Sequence, residues 1–441
     1  MPTTREHSLN ILDRFWVAGK QLKNVQKEYF KKCKISGSDR RRITVITNDV
    51  LRWKGRLDLW IALALKRPFH SLQPKLLSIL EIGTYELLLD KGTPAYAAID
   101  SAVSLARKRV GKHTTGLVNA VLRKVSRFEP EIPPLTDMSD EQTAAWYATP
   151  KWLYDRWVER FGETKTQSLC TRFNTPPETV IRRNPLRIEH GEFVAGLESR
   201  GVSPERINGS DRFYRVMSGS ANLRTEPLFL DGCFSYQDRG AGAVVELLDP
   251  RPGETVLDVC AAPGTKALYI AERMEDKGTV WASDVSPKRV ESGKRDQDRH
   301  RMRIIKWEVR DATADTFPRA DRILVDAPCT GTGVIGRRPD IKWRRRPEHL
   351  AEMSDLQINI LNHVSRYLRP NGVLVYATCS LEPEENWQVV EAFLKLNDNF
   401  RVDPVDDSRL KSWITRKMTL ETFPPDDHID GMFAVRLRLV A

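Results

Sequence analysis

Cysteine is scarce in this chain. Six occur among 441 residues, at Cys33, Cys170, Cys233, Cys260, Cys329 and Cys379. No pair has CxxC spacing and none sits with histidine at zinc-ligand spacing, so a zinc module is excluded and no metal is expected. Few cysteines in a long chain point to a reducing compartment, and the expected location is cytoplasmic. Long apolar runs are also missing: the longest, residues 59–65, is far too short to cross a bilayer. The first ten residues, MPTTREHSLN, hold no apolar stretch of signal-peptide type, and no membrane partner is expected. No internal repeat or low-complexity tract is visible, which excludes a solenoid. Nothing in the composition demands an oligomer, and a monomer is expected.

Against these gaps stands a surplus of positive charge. Lys and Arg total 70 against 59 Asp and Glu, a formal net charge of +11. Such a balance favours a polyanionic partner, nucleic acid above all. Residues 1–132 read as all-helical. Leu76, Ile79, Leu80, Gly83 and Leu87 recur at helical spacing, as do Leu117, Ala120, Val121 and Val125. Basic clusters punctuate this segment (KQLKNVQKEYFKKCK, DRRRITVITNDVLRWKGR and ARKRVGKH), and their repetition points to RNA binding. EPEIPPLTDMSDEQ, rich in Pro and acids, reads as a linker. Residues 145–235 read as a small mixed α/β connector: an aromatic helix in WYATPKWLYDRWVERFG, a strand in ETVIRRNPLR and a helix in EFVAGLESRG.

From residue 236 to 441 the pattern becomes strand, loop, helix in repetition. The expected strands are TVLDVCA, TVWASDV, IIKWEVRDA, RILVDAPC and GVLVYATC, with an edge strand in MFAVRLRLV. This alternation predicts an α/β fold with a Rossmann-like, doubly wound parallel sheet. Ligands of such sheets lie beyond the carboxyl ends of the strands. Acids stand at four of those ends: Asp258, Asp284, Asp311 and Asp326. After the first strand comes Cys260-Ala261-Ala262-Pro263-Gly264-Thr265-Lys266. A G-x-G-x-x-G fingerprint is missing there, which argues against a dinucleotide whose pyrophosphate must lie on the backbone. S-adenosylmethionine carries a positive sulfonium and no phosphate, and acidic strand ends suit it.

Two cysteines follow neighbouring strands. Cys329 closes the fourth in DAPCTGTG, and Cys379 the fifth in YATCSLEPEEN. Consecutive strands on one side of the switch point lie side by side, so both thiols are expected in one cleft. A thiolate there suits covalent nucleophilic catalysis. Pro383 is placed to open a helix whose N-terminus would favour the thiolate of Cys379, with Glu382, Glu384 and Glu385 opposing it. Between the cysteines, Arg337, Arg338, Lys342 and Arg344 surround Trp343, a basic and aromatic mixture suited to phosphate contact and base stacking. A base inside a duplex cannot reach such a pocket, so the target is unpaired or flipped out.

QDRGAGAVVELLDPRPGETVLDVCAAPGTK, SDVSPKRV, VDAPCTGTGVIGRRPDIKW and YATCSLEPEEN together resemble the motifs of the Sun/Nop2 family of RNA cytosine-5 methyltransferases, over roughly residues 230–441. The N-terminal third, through ITNDVLRWKGRLD and TTGLVNAVLRKV, resembles the NusB-like RNA-binding domain. The resemblance implies methylation of cytosine C5 in ribosomal RNA, with small-subunit 16S rRNA the expected substrate. It implies that Cys379, in the TC motif, attacks C6 and that Cys329, in the PC motif, aids release. It places S-adenosylmethionine on Cys260 through Lys266 with Asp284, Asp311 and Asp326, and lets Asp326 contact the target base.

The chain departs from the family pattern at three positions. Thr265 stands where glycine is usual, Ala267 where threonine is, and Asp296 where asparagine is. Thr265 and Ala267 are the only support for a rival reading, a non-catalytic RNA-binding assembly factor on a decayed methyltransferase fold. A third reading keeps the chemistry and changes the substrate to tRNA.

Overall fold

The computed structural model describes residues 2–90, 92–128 and 138–440. By internal contacts, Met1–Pro176 with Ile335–Arg345 form one compact unit, and Pro177–Val334 with Arg346–Ala441 form the other. The connector read at 145–235 is thus divided between the two. Most of the expected linker, residues 129–137, lies outside the described residues.

The first unit is helical among its described residues. Six α-helices, Thr4–Ala18, Leu22–Lys32, Gly37–Ala64, Pro74–Leu88, Ala95–Arg109 and Thr115–Val125, carry the segment read as helical. Local chemistry sets several of their starts. Thr3 and Glu6 form a reciprocal capping box, and the Ser36 hydroxyl accepts from the Asp39 N–H. Gly83 allows close helix packing, since a Cβ there would lie 2.8 Å from Leu122 Cδ1. In the last of the six helices the buried face is Val118, Val121, Leu122 and Val125. Leu117 is only half-buried and Ala120 is exposed, so the expected stripe is turned by about one residue. The end of the expected linker also differs: Asp140–Trp146 is a helix, because Ser139 and Gln142 make a second capping box. Helices Lys151–Phe161 and Glu163–Asn174 complete the unit with the inserted Ile341–Arg344 turn.

The second unit holds two sheets. The smaller contains β1 (Thr179–Arg183), β2 (Ser203–Arg206), β3 (Phe213–Ser218) and β4 (Phe234–Tyr236), antiparallel in the order β2-β3-β1-β4. Helix His190–Glu198 covers it through Phe193 and Leu197, which pack with Ile181, Tyr214, Val216 and Phe234. The sequence reading found β1 and the helix and missed β2 to β4, which are three to six residues long.

The larger sheet contains β5 (Thr255–Asp258), β6 (Thr279–Asp284), β7 (Ile305–Val309), β8 (Ala320–Asp326), β9 (Leu368–Thr378), β10 (Phe400–Val402), β11 (Thr419–Glu421) and β12 (Phe433–Leu439). Its order is β10-β12-β9-β8-β5-β6-β7, with β11 paired to β12. Strands β5 to β9 run parallel and β12 is antiparallel to β9. Alternate residues go to opposite faces, as period 2 requires. Val256, Leu324 and Val375 join the core with helices Arg239–Leu248 and Thr265–Arg273. Leu257, Ile323, Val325 and Leu374 join the core with helices Glu348–Val364 and Trp387–Leu396. Both faces are therefore covered by helices, the arrangement that parallel sheets require. The chain reverses its direction of progress between β5 and β8, and that switch point puts a cleft at the strands' carboxyl ends.

Candidate active site

The loop after β5 carries the first group of predicted residues. Gly264 adopts φ +112°, and a Cβ there would lie 2.9 Å from the Trp307 ring, so only glycine fits without strain. Ala261 donates to the Ser283 carbonyl at 2.8 Å, which ties the loop to β6. Ala261 and Ala262 are buried, Pro263 is exposed, and Thr265 opens the following helix. Arg182 reaches this helix from β1: its guanidinium pairs with the buried Glu272 carboxylate at 2.7 and 3.0 Å and donates to the Thr265 carbonyl at 3.4 Å. Arg289, which the sequence reading passed over, donates to the Ala262 carbonyl and pairs with Asp284 at 3.0 Å. Its side chain is half exposed.

The four acids at the strand ends have four different surroundings. Asp258 is fully buried, and neither carboxylate oxygen has a hydrogen bond. Burial, with the Asp326 and Asp284 charges adding to it, pushes its pKa up to about 8. Asp284 is buried and accepts from the Ser286 N–H at 3.0 Å. Val285 beside it is 63% exposed, a large apolar side chain offered to the cleft. Asp311 is exposed, and the Thr313 hydroxyl and N–H, at 2.6 and 2.8 Å, hold its pKa below the usual carboxylate range. Asp326 is half-buried and meets the Lys266 ammonium at 2.7 Å. Burial pulls the Lys266 pKa down, but the Asp326 carboxylate outweighs it, and the net direction is up.

The two predicted cysteines meet. β8 and β9 pair in parallel with Asp326 opposite Ala377, and the sulfurs of Cys329 and Cys379 lie 3.3 Å apart. The Cys329 thiol is pushed well above the ordinary range, first by its hydrogen bond with the Cys379 sulfur, then by burial and by the charges of Cys379 and Glu385. The backbone joins the two loops as well: Gly333 donates to the Cys379 carbonyl at 3.0 Å, and Leu381 donates to the Thr332 hydroxyl at 2.9 Å. Pro383 does not open an α-helix. It begins a single 3-10 turn, Pro383–Glu385, and the helix starts at Trp387. Glu385, one of the acids expected to oppose the thiolate, is completely buried and hydrogen-bonded, and its charge adds to the rise at Cys329.

The basic segment between the cysteines belongs to the helical unit, and one of its members needs correction. Lys342 is 1% exposed, and its ammonium donates to Asn174 Oδ1 at 2.7 Å, the Ala148 carbonyl at 2.9 Å and the Arg52 carbonyl at 3.3 Å. Trp343 donates its indole N–H to the Leu51 carbonyl at 2.6 Å. Lys342 faces inward as a fastener and is not placed to meet RNA, while Trp343 is half-buried with its indole N–H engaged inside the unit. A lysine suits free carbonyls at helix ends as well as it suits phosphates, and the sequence pattern does not separate the two. Arg344 binds Asp340 at 3.2 Å and the Gly19 carbonyl at 3.4 Å. Arg337 is half-buried, and Arg338 is exposed. Elsewhere in this unit Lys27, Lys31, Lys32, Lys34, Arg40 and Arg41 are exposed. No helix is long and apolar enough to cross a membrane among the described residues.

Three comparisons bear on this site. Residues 245–438 match the family described as 16S rRNA methyltransferase RsmB/F. Residues 2–127 match the NusB family, and residues 149–212 the ferredoxin-like domain of RsmF/B-like methyltransferases. The chain is 33% identical over 413 residues to the ribosomal RNA small subunit methyltransferase B of Serratia proteamaculans, with 91% of each chain covered. It is 31% identical over 412 residues to a protein of Synechocystis named "Probable ribosomal RNA small subunit methyltransferase B", with 92% of each covered. Among solved structures, that of the protein PH0851 is similar with a TM-score of 0.81 and 27% identity, over 99% of both chains.

Proposed function

The chain belongs to the 16S rRNA methyltransferase RsmB/F family, and from that premise we propose that it methylates C5 of a cytosine in small-subunit ribosomal RNA through a covalent bond between Cys379 and C6. The observation that carries this reading is the 3.3 Å contact between the Cys329 and Cys379 sulfurs at the ends of β8 and β9. A pair of core cysteines would have no reason to sit at strand ends beside the paired Lys266 and Asp326.

The strand ends suit S-adenosylmethionine. Asp258, buried without a hydrogen bond, favours a nearby cation. Asp284 is the acid for the ribose hydroxyls once Arg289 releases it, and Val285 offers an apolar face to adenine. Asp311 serves the far end of the adenine, and residues Cys260 through Lys266 the methionine portion. When bound, the cofactor supplies an electrophilic methyl group.

The side chains divide the remaining work. Cys379 adds as thiolate to C6, forming a carbon–sulfur bond and turning C5 into an enamine-type nucleophile. The Lys266 ammonium supplies the positive charge a thiolate needs. Asp326, paired with the Lys266 ammonium, accepts a hydrogen bond from the exocyclic amine of the base. Once the Cys379 sulfur is bonded to carbon, it no longer holds Cys329 protonated by charge or by accepting its hydrogen bond. Cys329 then releases its proton to solvent, its thiolate takes the proton from C5, and the C6–sulfur bond breaks with its electron pair returning to Cys379. Thiols held this close stay reduced only in a reducing compartment, which supports a cytoplasmic location. The exposed cations of the helical unit, with Arg338, are the phosphate contacts of this reading.

The test is mutational. Cys379→Ala is expected to abolish methyl transfer to small-subunit rRNA, and Cys329→Ala to accumulate a protein–RNA adduct visible on a denaturing gel. The reverse pattern would overturn the roles. Bisulfite sequencing of RNA from a deletion strain identifies the substrate, and loss of a tRNA mark with rRNA unchanged would remove the ribosomal assignment.

A further inference from the structure

Glu385 is the most heavily hydrogen-bonded carboxylate near the two thiols, and the chemistry above gives it no role. It is completely buried. Its Oε1 accepts from the Thr330 N–H at 2.7 Å and from Gln357 Nε2 at 3.2 Å. Its Oε2 accepts from the Ser380 hydroxyl at 2.5 Å and from the Thr330 hydroxyl. Thr330 follows Cys329, and Ser380 follows Cys379. One carboxylate therefore grips the residue next to each sulfur.

Its neighbours are built into the same grip. Gln357, on helix Glu348–Val364, also donates to the Pro328 carbonyl at 2.9 Å, just before Cys329. The Tyr376 hydroxyl, from β9, donates to the Glu385 carbonyl at 2.5 Å. Asn386 accepts from the Thr378 hydroxyl at 2.6 Å and donates to the Ser380 carbonyl at 2.9 Å, on either side of Cys379. Burying a carboxylate is costly unless donors surround it, and here the donors are Thr330 and Ser380, each next to a sulfur, with Gln357 from the helix Glu348–Val364.

We propose that Glu385 is a positioning residue: its buried carboxylate bridges the Cys329 loop to the Cys379 loop and thereby sets the separation of the two sulfurs. Catalysis by the pair needs both at once, and a misplacement of about 1 Å can cost about a hundredfold in rate. The proposal rests on the reading that Cys379 and Cys329 act together, but the sulfur separation can be measured without any RNA.

The ruler is disulfide closure in the full-length protein. Hydrogen peroxide oxidises one thiol to a sulfenic acid and water. The second thiol then attacks that sulfur, forming the S–S bond and releasing another water. Peptide mapping by mass spectrometry follows the Cys329–Cys379 bond over time. Glu385→Ala is expected to slow closure by about tenfold or more, and to lower kcat by about a hundredfold with KM for RNA little changed. Glu385→Gln is expected to restore both to within about threefold of wild type. Its amide oxygen takes the place of Oε1, and its NH2 donates to two hydroxyls that can turn to accept.

If Glu385→Ala does not fold, Ser380→Ala removes only the arm toward Cys379 and is expected to slow closure severalfold. Closure at the wild-type rate in Glu385→Ala, or in Ser380→Ala where that variant stands in, overturns the proposal. Failure of Glu385→Gln to rescue Glu385→Ala overturns it too. Normal closure kinetics in a wild type that transfers no methyl group would sink the methyl-transfer reading and leave the bridge standing.

Discussion

Lys266, largely buried, and Lys342, completely buried, lie one in each unit, and their ammonium groups meet opposite fates. Lys266 faces a carboxylate, Asp326, at 2.7 Å, and the pairing raises its pKa despite burial. Lys342 faces neutral oxygens, and burial, with Arg52 and Arg56 nearby, lowers its pKa to about 7. A buried cation matched by an anion is a permanent charge available to chemistry. A buried cation matched only by amide and carbonyl oxygens is a fastener that strains against its own charge. What separates the two is the partner, and the lysine's own sequence neighbourhood does not name that partner.

The largest effect that tests this contrast is at Lys266. Lys266→Met leaves Asp326 without its cation beside the already strained Asp258. Methyl transfer is expected to fall by about a hundredfold or more in a single-turnover assay, with the far-ultraviolet spectrum unchanged. Loss of less than about threefold would mean that Lys266 is structural and would collapse the distinction.

The second test uses pH. The Lys342 ammonium loses its proton near pH 7 in the folded chain and near 10.5 when unfolded. Between those values the unfolded chain binds more protons, so stability rises with pH across that window. One proton contributes up to about 1.4 kcal/mol per pH unit. Urea melts of wild type and Lys342→Met at pH 7, 8 and 9 are expected to show this rise in the wild type only. Parallel curves would show that the three oxygen acceptors keep Lys342 charged throughout.

The smallest effect belongs to exposed lysines, which complete the series. Lys31 and Lys32 close the helix Leu22–Lys32 in solvent. Replacing both with alanine is expected to weaken RNA binding about equally for all sequences and to lower the salt slope by about one per lysine. An unchanged slope would move the RNA surface to another face of the helical unit.

Much of the site was legible because its residues sit where the chain's local grammar is loudest. Asp258, Asp284 and Asp326 end strands, and Cys329 and Cys379 follow strands that pair side by side. Strand alternation and turn chemistry are local properties, and the topological rule then gathers the strand ends into one cleft. Glu385 was legible only as a charge near Cys379. Its role depends on Thr330, 55 residues earlier, and on Gln357, 28 residues earlier. Lys342 was misread for the same reason, since its acceptors lie between 168 and 290 residues away in the chain. The strands β2 to β4 escaped notice because each is short and draws its core contacts from a helix and from other strands of the sheet.

Hydrophobic periodicity, glycine placement and the acids and thiols at strand ends determined the architecture and the cofactor class without any coordinates, because each is written within a few consecutive residues. Which cations are buried, which carboxylate ties the sulfurs together and which basic residues remain for RNA were decided only when distant segments packed. Those outcomes depend on who supplies the opposing charge or hydrogen bond, and a linear string does not contain that partner's position.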